Sequence, residues 1–362
     1  MTKTIELEAL DTLFFRDGKP FTMGEDTWAE GIFPPLPSVI YGALRTAYFS
    51  EDIERFKTIE KKDDSALLRI MSYCFKYGSR IYFPIPLDLI EVVHPTNKGP
   101  RKELRLLKLN IHDKENFASS VPTSHFLESD TENFDVVENG IINSLDLANY
   151  LAVNISSADY HSLNDFIFLE PKVGIGLNND TRAAKDGQLY RVGMQRLDQL
   201  SFAVGFEFEL LDSIPAMIRL GGEGKAVQCQ SIESKEIRQK ISIPMSLIVG
   251  KRFKLYLATP ALFTDGWKTS WMTTGYSEYR GIKIRLLAAA VGKPVPVGGF
   301  NMKEKSPKAM RKAVPAGSVY YLELENETDN TRLEELFHKK SISEITDSQN
   351  QGFGITFVGG VS

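Results

Sequence analysis

Three glycines and a lysine form the stretch whose residue types point most directly to chemistry. Gly221, Gly222 and Gly224 lie within four residues, and Lys225 follows them directly. Glycines let a backbone bend sharply and bring its amide N–H groups close to another surface, and the lysine adds a point charge at the exit. These groups could receive a phosphate of RNA. A tight turn that serves only packing is the alternative, because glycine loops are common turn devices.

A nucleotide-binding loop of the P-loop type does not fit this stretch. A P-loop follows a strand and opens a helix, whereas the sequence predicts a helix-like run over residues 210–218 before the glycines and a strand over residues 227–230 after them. Ala226 also stands where a Ser or Thr hydroxyl would have to reach magnesium.

Other cations lie at predicted turns, on a predicted helix and in one basic run. Arg16 and Lys19 flank the turn signal at residues 17–18, and Arg45 lies on the first predicted helix. Arg182 follows a strand-like run, and its guanidinium could pair with phosphate and stack on a base. A basic stretch between residues 303 and 312 adds Lys303, Lys305, Lys308 and Arg311. Solvated turns and loops are the competing interpretation for all of them.

Aromatic and acid–base side chains do not form a comparable pattern. Four aromatic residues between positions 267 and 279 could stack bases, but large aromatics more often lie in a core or an interface. No histidine lies in a motif that places a base beside the glycine loop, and the aspartates lack paired metal-ligand spacing. We therefore expect no catalytic residue, no metal site and no cofactor.

Composition limits the remaining function classes. The 362 residues carry 43 Lys plus Arg and 47 Asp plus Glu, a net charge of −4. Nucleic-acid binding would therefore use local patches. Cys74 and Cys229 cannot form a disulfide framework. No apolar run approaches the ~20 residues that cross a bilayer, and the N-terminus lacks an apolar signal region. We expect a cytoplasmic protein without membrane contact.

Periodicity predicts alternating strands and few helices. An opening strand covers residues 4–10, and a helix with an apolar face begins near Ser38, which could cap it. A second short helix is expected over residues 65–74, followed by a strand at 80–84 and a poorly periodic insertion from about 95 to 150. Further strands are expected at 166–171, 188–196, 202–210, 253–257, 285–291 and 319–324, with a short helix at 332–338.

The two halves of the chain share an order of events. Each opens with an alternating strand followed by a Leu-Phe pair and an Asp-Gly turn, and each closes with a glycine loop and a terminal strand, at 221–224 and again at 352–354. This repeat indicates an α+β fold of two tandem units, each compatible with the ferredoxin-like topology. The expected domains are 1–235, including the insertion, and 245–362.

Several short motifs resemble one family in its own order along the chain. They are TLFFRDGKPF at 12–21, FPPLPS at 33–38 with GALR at 42–45, VGIGL at 173–177 with TR at 181–182, LGGEGK at 220–225, GGFN at 298–301 and VPAGSVY at 314–320. Together they resemble the third-subunit family of the type III-B CRISPR effector, the Cmr complex, within the RAMP superfamily.

The resemblance implies two tandem ferredoxin-like, RRM-like domains. It implies a non-catalytic subunit that grips the 5′ handle of a crRNA, contacts the large palm-domain subunit and the first backbone subunit of the filament, and meets target RNA only through the complex. The cations and glycines named above would then be its RNA contacts. Two alternatives remain open: a metal-independent crRNA-processing endoribonuclease of the same superfamily, and a bridge that makes only protein contacts.

Overall fold

The structure is a computed structural model that describes most of the chain. The described residues are 2–16, 28–29, 31–52, 54–55, 63–95, 100–111, 123, 125–155, 158–178, 180–181, 183–211, 213–301 and 306–361. The α-helices among them are α1 (Pro37–Glu51), α2 (Ser144–Leu151), α3 (Lys235–Ile241) and α4 (Leu333–Phe337). Single 3-10 turns cover Asp64–Leu67, Leu163–Asp165, Glu327–Arg332 and Thr346–Ser348.

Strands make up most of the regular structure. In the first part of the chain they are β1 (Thr2–Ala9), β2 (Trp28–Ala29), β3 (Arg69–Tyr77), β4 (Arg80–Pro84), β5 (Leu89–His94), β6 (Arg101–Leu106), β7 (Lys108–Ile111), β8 (His125–Glu128), β9 (Gly140–Asn143), β10 (Tyr160–Ser162), β11 (Ile167–Leu177), β12 (Ala184–Leu197), β13 (Leu200–Glu207), β14 (Met217–Arg219) and β15 (Ala226–Ser231). The later strands are β16 (Arg252–Leu257), β17 (Ser277–Tyr279), β18 (Ile282–Ala290), β19 (Val295–Val297), β20 (Phe300–Asn301), β21 (Ser306–Pro307), β22 (Arg311–Ala313), β23 (Val319–Leu324), β24 (Lys340–Ser341) and β25 (Ile355–Gly360).

Two large sheets, one from each half of the chain, organise these strands. The first has the order β10-β9-β4-β3-β13-β1-β15-β14, and the second has the order β17-β18-β23-β16-β25-β24. The fold is thus a mixed α/β arrangement of mostly antiparallel sheets, with few helices in the described ranges.

The centres of the two sheets have the same strand order. The four central strands run β15-β1-β13-β3 in the first sheet and β25-β16-β23-β18 in the second. Numbered along the chain, both orders are fourth, first, third, second, and every neighbouring pair is antiparallel. Each glycine loop immediately precedes the fourth strand of its set, as the sequence repeat predicts.

Helix α1 forms where the sequence predicts it, but Ser38 does not cap it. The helix begins at Pro37, and the residue before it, Leu36, makes no side-chain capping bond. Proline fits the first turn because its fixed φ is already helical and its missing N–H would have no partner there. The apolar face is confirmed, since Ile40 and Leu44 are buried in the first core.

Two predicted helices are wrong. Residues 65–74 contain only a 3-10 turn and then β3, whose Tyr73, Cys74 and Phe75 are all buried. A strand that is buried on both faces has a continuous run of apolar residues in its sequence. Hydrophobic periodicity cannot distinguish such a run from a buried helix. The described part of residues 210–218 forms no helix and ends in β14. Pro215 interrupts that run, and proline disfavours a helix interior.

The predicted irregular insertion is more ordered than expected. Strands β5 and β6 pair as one hairpin and β7 and β8 as another, while β9 pairs with β4 inside the first sheet. Many of the hairpin residues are charged, as in Arg101–Leu106, and polar strands of four to six residues resemble loops in sequence. Residues 96–99, 112–122 and 124 lie outside the described residues.

A buried polar cluster joins the two halves. Asp88, fully buried, accepts hydrogen bonds from the hydroxyls of Tyr150 and Tyr321 at 2.6 Å. The Nζ of Lys254 lies 3.4 Å above the centre of the Tyr150 ring, and the residue is 1% exposed. Burial lowers the pKa of Lys254 to about 8, while the nearby Asp88 charge acts to raise it. Because Asp88 and Tyr150 come from the first half and Lys254 and Tyr321 from the second, the cluster fixes one half against the other.

Lys254 gives stability a defined pH dependence. Its pKa in the folded chain, about 8, lies below the ordinary 10.5, so the unfolded chain binds more protons between these values and stability rises with pH there. The slope from this one group reaches about 1.4 kcal/mol per pH unit. We expect wild type to gain stability relative to Lys254→Met as pH rises from 7 to 9.5, measured by urea unfolding.

The matched control is Lys283→Met, since the Lys283 side chain is 56% exposed. This control measures the effect of losing one exposed lysine over the same pH range. A wild-type minus Lys254→Met difference that does not change with pH would contradict the assignment of a low pKa to Lys254.

Candidate nucleic-acid interface

The glycine loop packs directly on the segment that follows β1. The Gly222 N–H donates to the Phe14 carbonyl at 2.8 Å. Gly221 has φ +79°, and a Cβ there would lie 2.5 Å from the Phe14 oxygen and 3.0 Å from the Phe15 ring. Close approach of two backbones therefore requires glycine at 221. For Gly221 and Gly222 the packing role is the one the contacts demonstrate.

The segment under the loop is held from two further sides. Leu13 and Gln195 exchange two backbone hydrogen bonds of 2.8 Å, which attach the segment to β12. The Ile32 N–H donates to the Phe15 carbonyl at 2.8 Å. Phe14 is buried with Val192 of β12. We refer to residues 13–16 together with the loop 220–225 as the platform.

Lys225 is engaged by an acidic neighbour. Its side chain is 19% exposed, and Nζ forms an ion pair with the Asp11 carboxylate. The hydrogen bond from Lys225 is the main reason that the pKa of Asp11 is lowered. Arg196 reaches the same carboxylate at 4.0 Å and pairs mainly with Glu170. The platform edge thus carries both signs of charge.

The outer tip of the loop is open. Glu223 and Gly224 are exposed, with φ of +58° and +64°, and a Cβ on Gly224 would meet nothing within 4 Å. Within the part of the chain that the structure describes, the amides of Glu223 and Gly224 donate to no partner. Successive amides in such a turn form a concave surface that suits an anion. Lys172 approaches the tip through its ion pair with Glu223 at 3.4 Å.

The other predicted cations are dispersed. Arg16 is exposed and follows Phe15, so it belongs to the platform. Arg45 is bound elsewhere, with Nε donating to the Ser65 hydroxyl at 2.6 Å and its guanidinium paired with Asp63 at 2.7 Å. Lys308 and Arg311 are exposed on the second half. The remaining predicted cations, Lys19, Arg182, Lys303 and Lys305, lie outside the described residues.

Sequence reasoning missed the acidic part of the site. Asp11 pairs with Lys225 of the platform, Glu223 of the platform pairs with Lys172, and Glu170 pairs with Arg196 beside it. Glu170 meets Arg196 only because β11 pairs with β12 in a particular register, with Phe168 opposite Arg196. That register is not readable from the sequence. The spacing of charged residues on alternate positions of β11 is the one available signal.

The aromatic cluster of the second half belongs mostly to the core. Trp271 and Tyr279 rings lie 4.5 Å apart and both contact Phe337. Trp267 stacks near Tyr320 at 6.5 Å. The core interpretation is therefore confirmed for these three aromatics, while Tyr276 is 41% exposed.

The histidines that the structure describes lie away from the platform. His338 is buried, accepts from the Val358 N–H at Nδ1 and contacts the Ile243 carbonyl through Nε2 at 2.8 Å. His94 pairs with Glu103 at 3.2 Å and His161 with Asp159 at 3.3 Å. Among the described residues no group of three His, Cys, Asp or Glu could hold a metal ion. No helix in those ranges has the length and apolarity to span a membrane.

Two solved structures share this fold. One is a chain of type III-B Cmr-beta bound to cognate target RNA and AMPPnP, with a TM-score of 0.53, 14% identity, and coverage of 97% of this chain and 95% of that one. The other is a chain of Cmr-beta bound to cognate target RNA, with a TM-score of 0.51, 15% identity and the same coverage. The fold is therefore that of a chain in a type III-B Cmr assembly.

The family follows from the sequence as a whole. The model of the family described as CRISPR-associated protein (Cas_Cmr3) matches residues 5–360, so this chain belongs to that family. The resemblance drawn from the short motifs is confirmed. No curated protein sequence matches the chain.

Two alanine substitutions separate the packing and tip roles of the loop. Gly224→Ala should cost about 1 kcal/mol, since only its left-handed φ opposes a side chain. Gly221→Ala adds a collision with the Phe14 carbonyl and should cost about 1–3 kcal/mol more. Urea unfolding of both variants measures the difference, and equal losses would refute the close approach at Gly221.

Proposed function

We propose that this chain is a non-catalytic RNA-binding subunit of a type III-B Cmr effector complex. In this role it grips the 5′ handle of the crRNA and bridges the large palm-domain subunit to the backbone filament. The observation that carries the proposal is the family match over residues 5–360. The similar fold of a chain in a Cmr assembly bound to target RNA supports it.

The same proposal includes a tandem architecture. We assign residues 1–235 and 245–362 to two ferredoxin-like domains. The support is the shared fourth-first-third-second strand order at the centre of the two sheets. Each unit also has a glycine loop whose amide donates to the segment after its first strand, from Gly222 to Phe14 and from Gly354 to Pro260 at 2.7 Å.

The two loops have different surroundings, which favour the first as the RNA-binding loop. A Cβ on Gly352 would lie 2.8 Å from the Ile70 side chain, and Phe353 is 1% exposed. The second loop is therefore packed against the first half of the chain. The loop at 220–225 presents its tip to solvent, so it is the one that a phosphate can reach.

A phosphate at the platform would replace an ion pair. The Asp11 carboxylate is 57% exposed, and solvent screening weakens such an ion pair, so its exchange for a phosphate costs little. Arg16 is exposed and supplies a second positive charge. The Glu223 and Gly224 amides supply neutral donors at the tip. Binding of this kind contacts the phosphates of the RNA backbone, so its affinity depends strongly on salt concentration.

The two other functions remain as outcomes of the test. An endoribonuclease of the same fold would cleave crRNA precursor without metal and would need a proton-transfer group at the cut site. A bridge that makes only protein contacts would leave crRNA binding unaffected when platform cations are removed. The contacts of His94, His161 and His338 favour neither a base nor an acid beside the platform.

The test removes two platform cations without adding a charge. Arg16→Gln/Lys225→Gln should lower affinity for handle-bearing single-stranded RNA about tenfold. The slope of log affinity against log salt should fall by about 1.4, at about 0.7 for each lost phosphate contact. Fluorescence anisotropy over a salt series measures both quantities.

The matched control is Lys108→Gln/Lys283→Gln, which removes equal charge from side chains that are 64% and 56% exposed. The control should bind RNA as wild type does. If the platform variant also behaves as wild type, or if RNA without the handle binds equally well, the proposal fails. Cleavage of repeat RNA in EDTA would instead identify the endoribonuclease.

A further inference from the structure

The segment at the start of the second half, between α3 and β16, exposes apolar side chains to solvent. Residues 244–250, which we call the linker strand, run between α3 and β16. Leu247 is 88% exposed and Val249 is 80% exposed, whereas Ile248 between them is 4% exposed. No other large apolar side chain among the described residues exceeds 69%. Alternation of this kind is the pattern of a strand with one side uncovered.

The backbone of the linker strand is also uncovered. Within the described ranges, no N–H from Met245 to Gly250 donates a hydrogen bond. The Ile248 carbonyl accepts from the Asn330 side chain at 3.3 Å. The structure assigns no helix or strand to residues 243–250. A backbone with unpaired N–H groups is a template for an added strand.

The linker strand is held in place before any partner arrives. Ile248 is part of the core of the second half. The Nδ1 of His338 accepts from Val358, so Nε2 carries the proton and donates to the Ile243 carbonyl at 2.8 Å, just before the strand. A preorganised segment loses little conformational entropy on binding.

Positive charge exceeds negative charge around the linker strand. A cavity of about 760 Å³ lined by Lys235, Arg238, Gln239, Ser242 and Pro244 opens where the strand begins. Residues 235–252 contain five Lys or Arg and one Glu. Arg238, Lys240 and Arg252 pair with Glu233, Glu236 and Glu323, so the excess charge comes from Lys235 and Lys251. Carboxylates on a partner would complement this charge.

The chemistry selects one class of occupant. An RNA strand offers negative charge but no backbone amides to pair with the linker strand, and Leu247 and Val249 have no ring on which a base could stack. A second copy of this chain would bring the same cations and repel. A protein segment with carboxylates and apolar side chains satisfies the backbone, the apolar surface and the charge together.

We propose that the linker strand binds an extended, acidic segment of another subunit, which adds to residues 245–250 as a β-strand and covers Leu247 and Val249. That the partner is a subunit of the Cmr complex rests on the proposed function. The linker strand is then a protein-docking surface separate from the platform.

Hydrogen exchange of the full-length chain tests this directly. Four samples are compared: the chain alone over a concentration series, the chain with crRNA, the chain with each other purified subunit, and the assembled complex. The amides of residues 245–250 should exchange at least about tenfold more slowly with one subunit and in the complex, since a strand partner occupies them.

A variant pair adds an affinity readout. Leu247→Asp/Val249→Asp should weaken binding to that subunit at least about tenfold and leave crRNA affinity of the chain within twofold. Leu67→Asp/Leu145→Asp, at side chains 64% and 69% exposed, is the control and should bind the subunit as wild type does.

Four results would overturn the inference: no protection by any subunit, protection by crRNA alone, protection that grows with the concentration of the chain alone, or equal subunit affinity for the variant and its control. Protection by a subunit together with no preference for handle-bearing RNA would support the docking surface and refute the RNA role. The two proposals are therefore separable.

Discussion

The close contact between the glycine loop and the segment after β1 is the constraint on which the platform depends. Gly222 donates its amide to the Phe14 carbonyl, and the missing side chain at Gly221 lets the two backbones meet. Backbone hydrogen bonds between Leu13 and Gln195 hold the same segment against β12. The segment after β1 therefore contacts both the glycine loop and the β11–β12 hairpin. Arg16 and the tip of the loop owe their positions to this contact. Packing therefore fixes the base of the loop and leaves its tip open for the RNA contact that we propose.

The second half has the same contact between a glycine loop and the segment after its first strand, but its loop packs against the first half. Its loop also donates an amide to the segment after the first strand, from Gly354 to Pro260, but Gly352 packs against Ile70 of the first half. Together with the buried cluster of Asp88 and Lys254, this contact joins the two halves. Such contacts would suit the proposed subunit, which binds RNA and protein at once.

Much of the strand framework could be predicted from the sequence, because alternation marks half-buried strands such as β1. Helices were harder to predict, since β3 is buried on both faces and loses its alternation. The glycine loop was found from its residue types, and its repetition at 352–354 placed it correctly before a terminal strand. Asp11 was not found, because its pairing with Lys225 depends on two segments more than 200 residues apart. Positions that require glycine can be recognised from the local sequence, whereas ion pairs between distant segments cannot.

The central claim is that the 5′ handle of the crRNA lies on the platform. The most direct measurement is photo-crosslinking of the assembled complex, with a crosslinker at single handle nucleotides and mass spectrometry of the joined peptides. The account predicts crosslinks from the handle to residues 13–16 or 220–225. Crosslinks from every handle nucleotide to other surfaces, with these two segments unmodified, would contradict it.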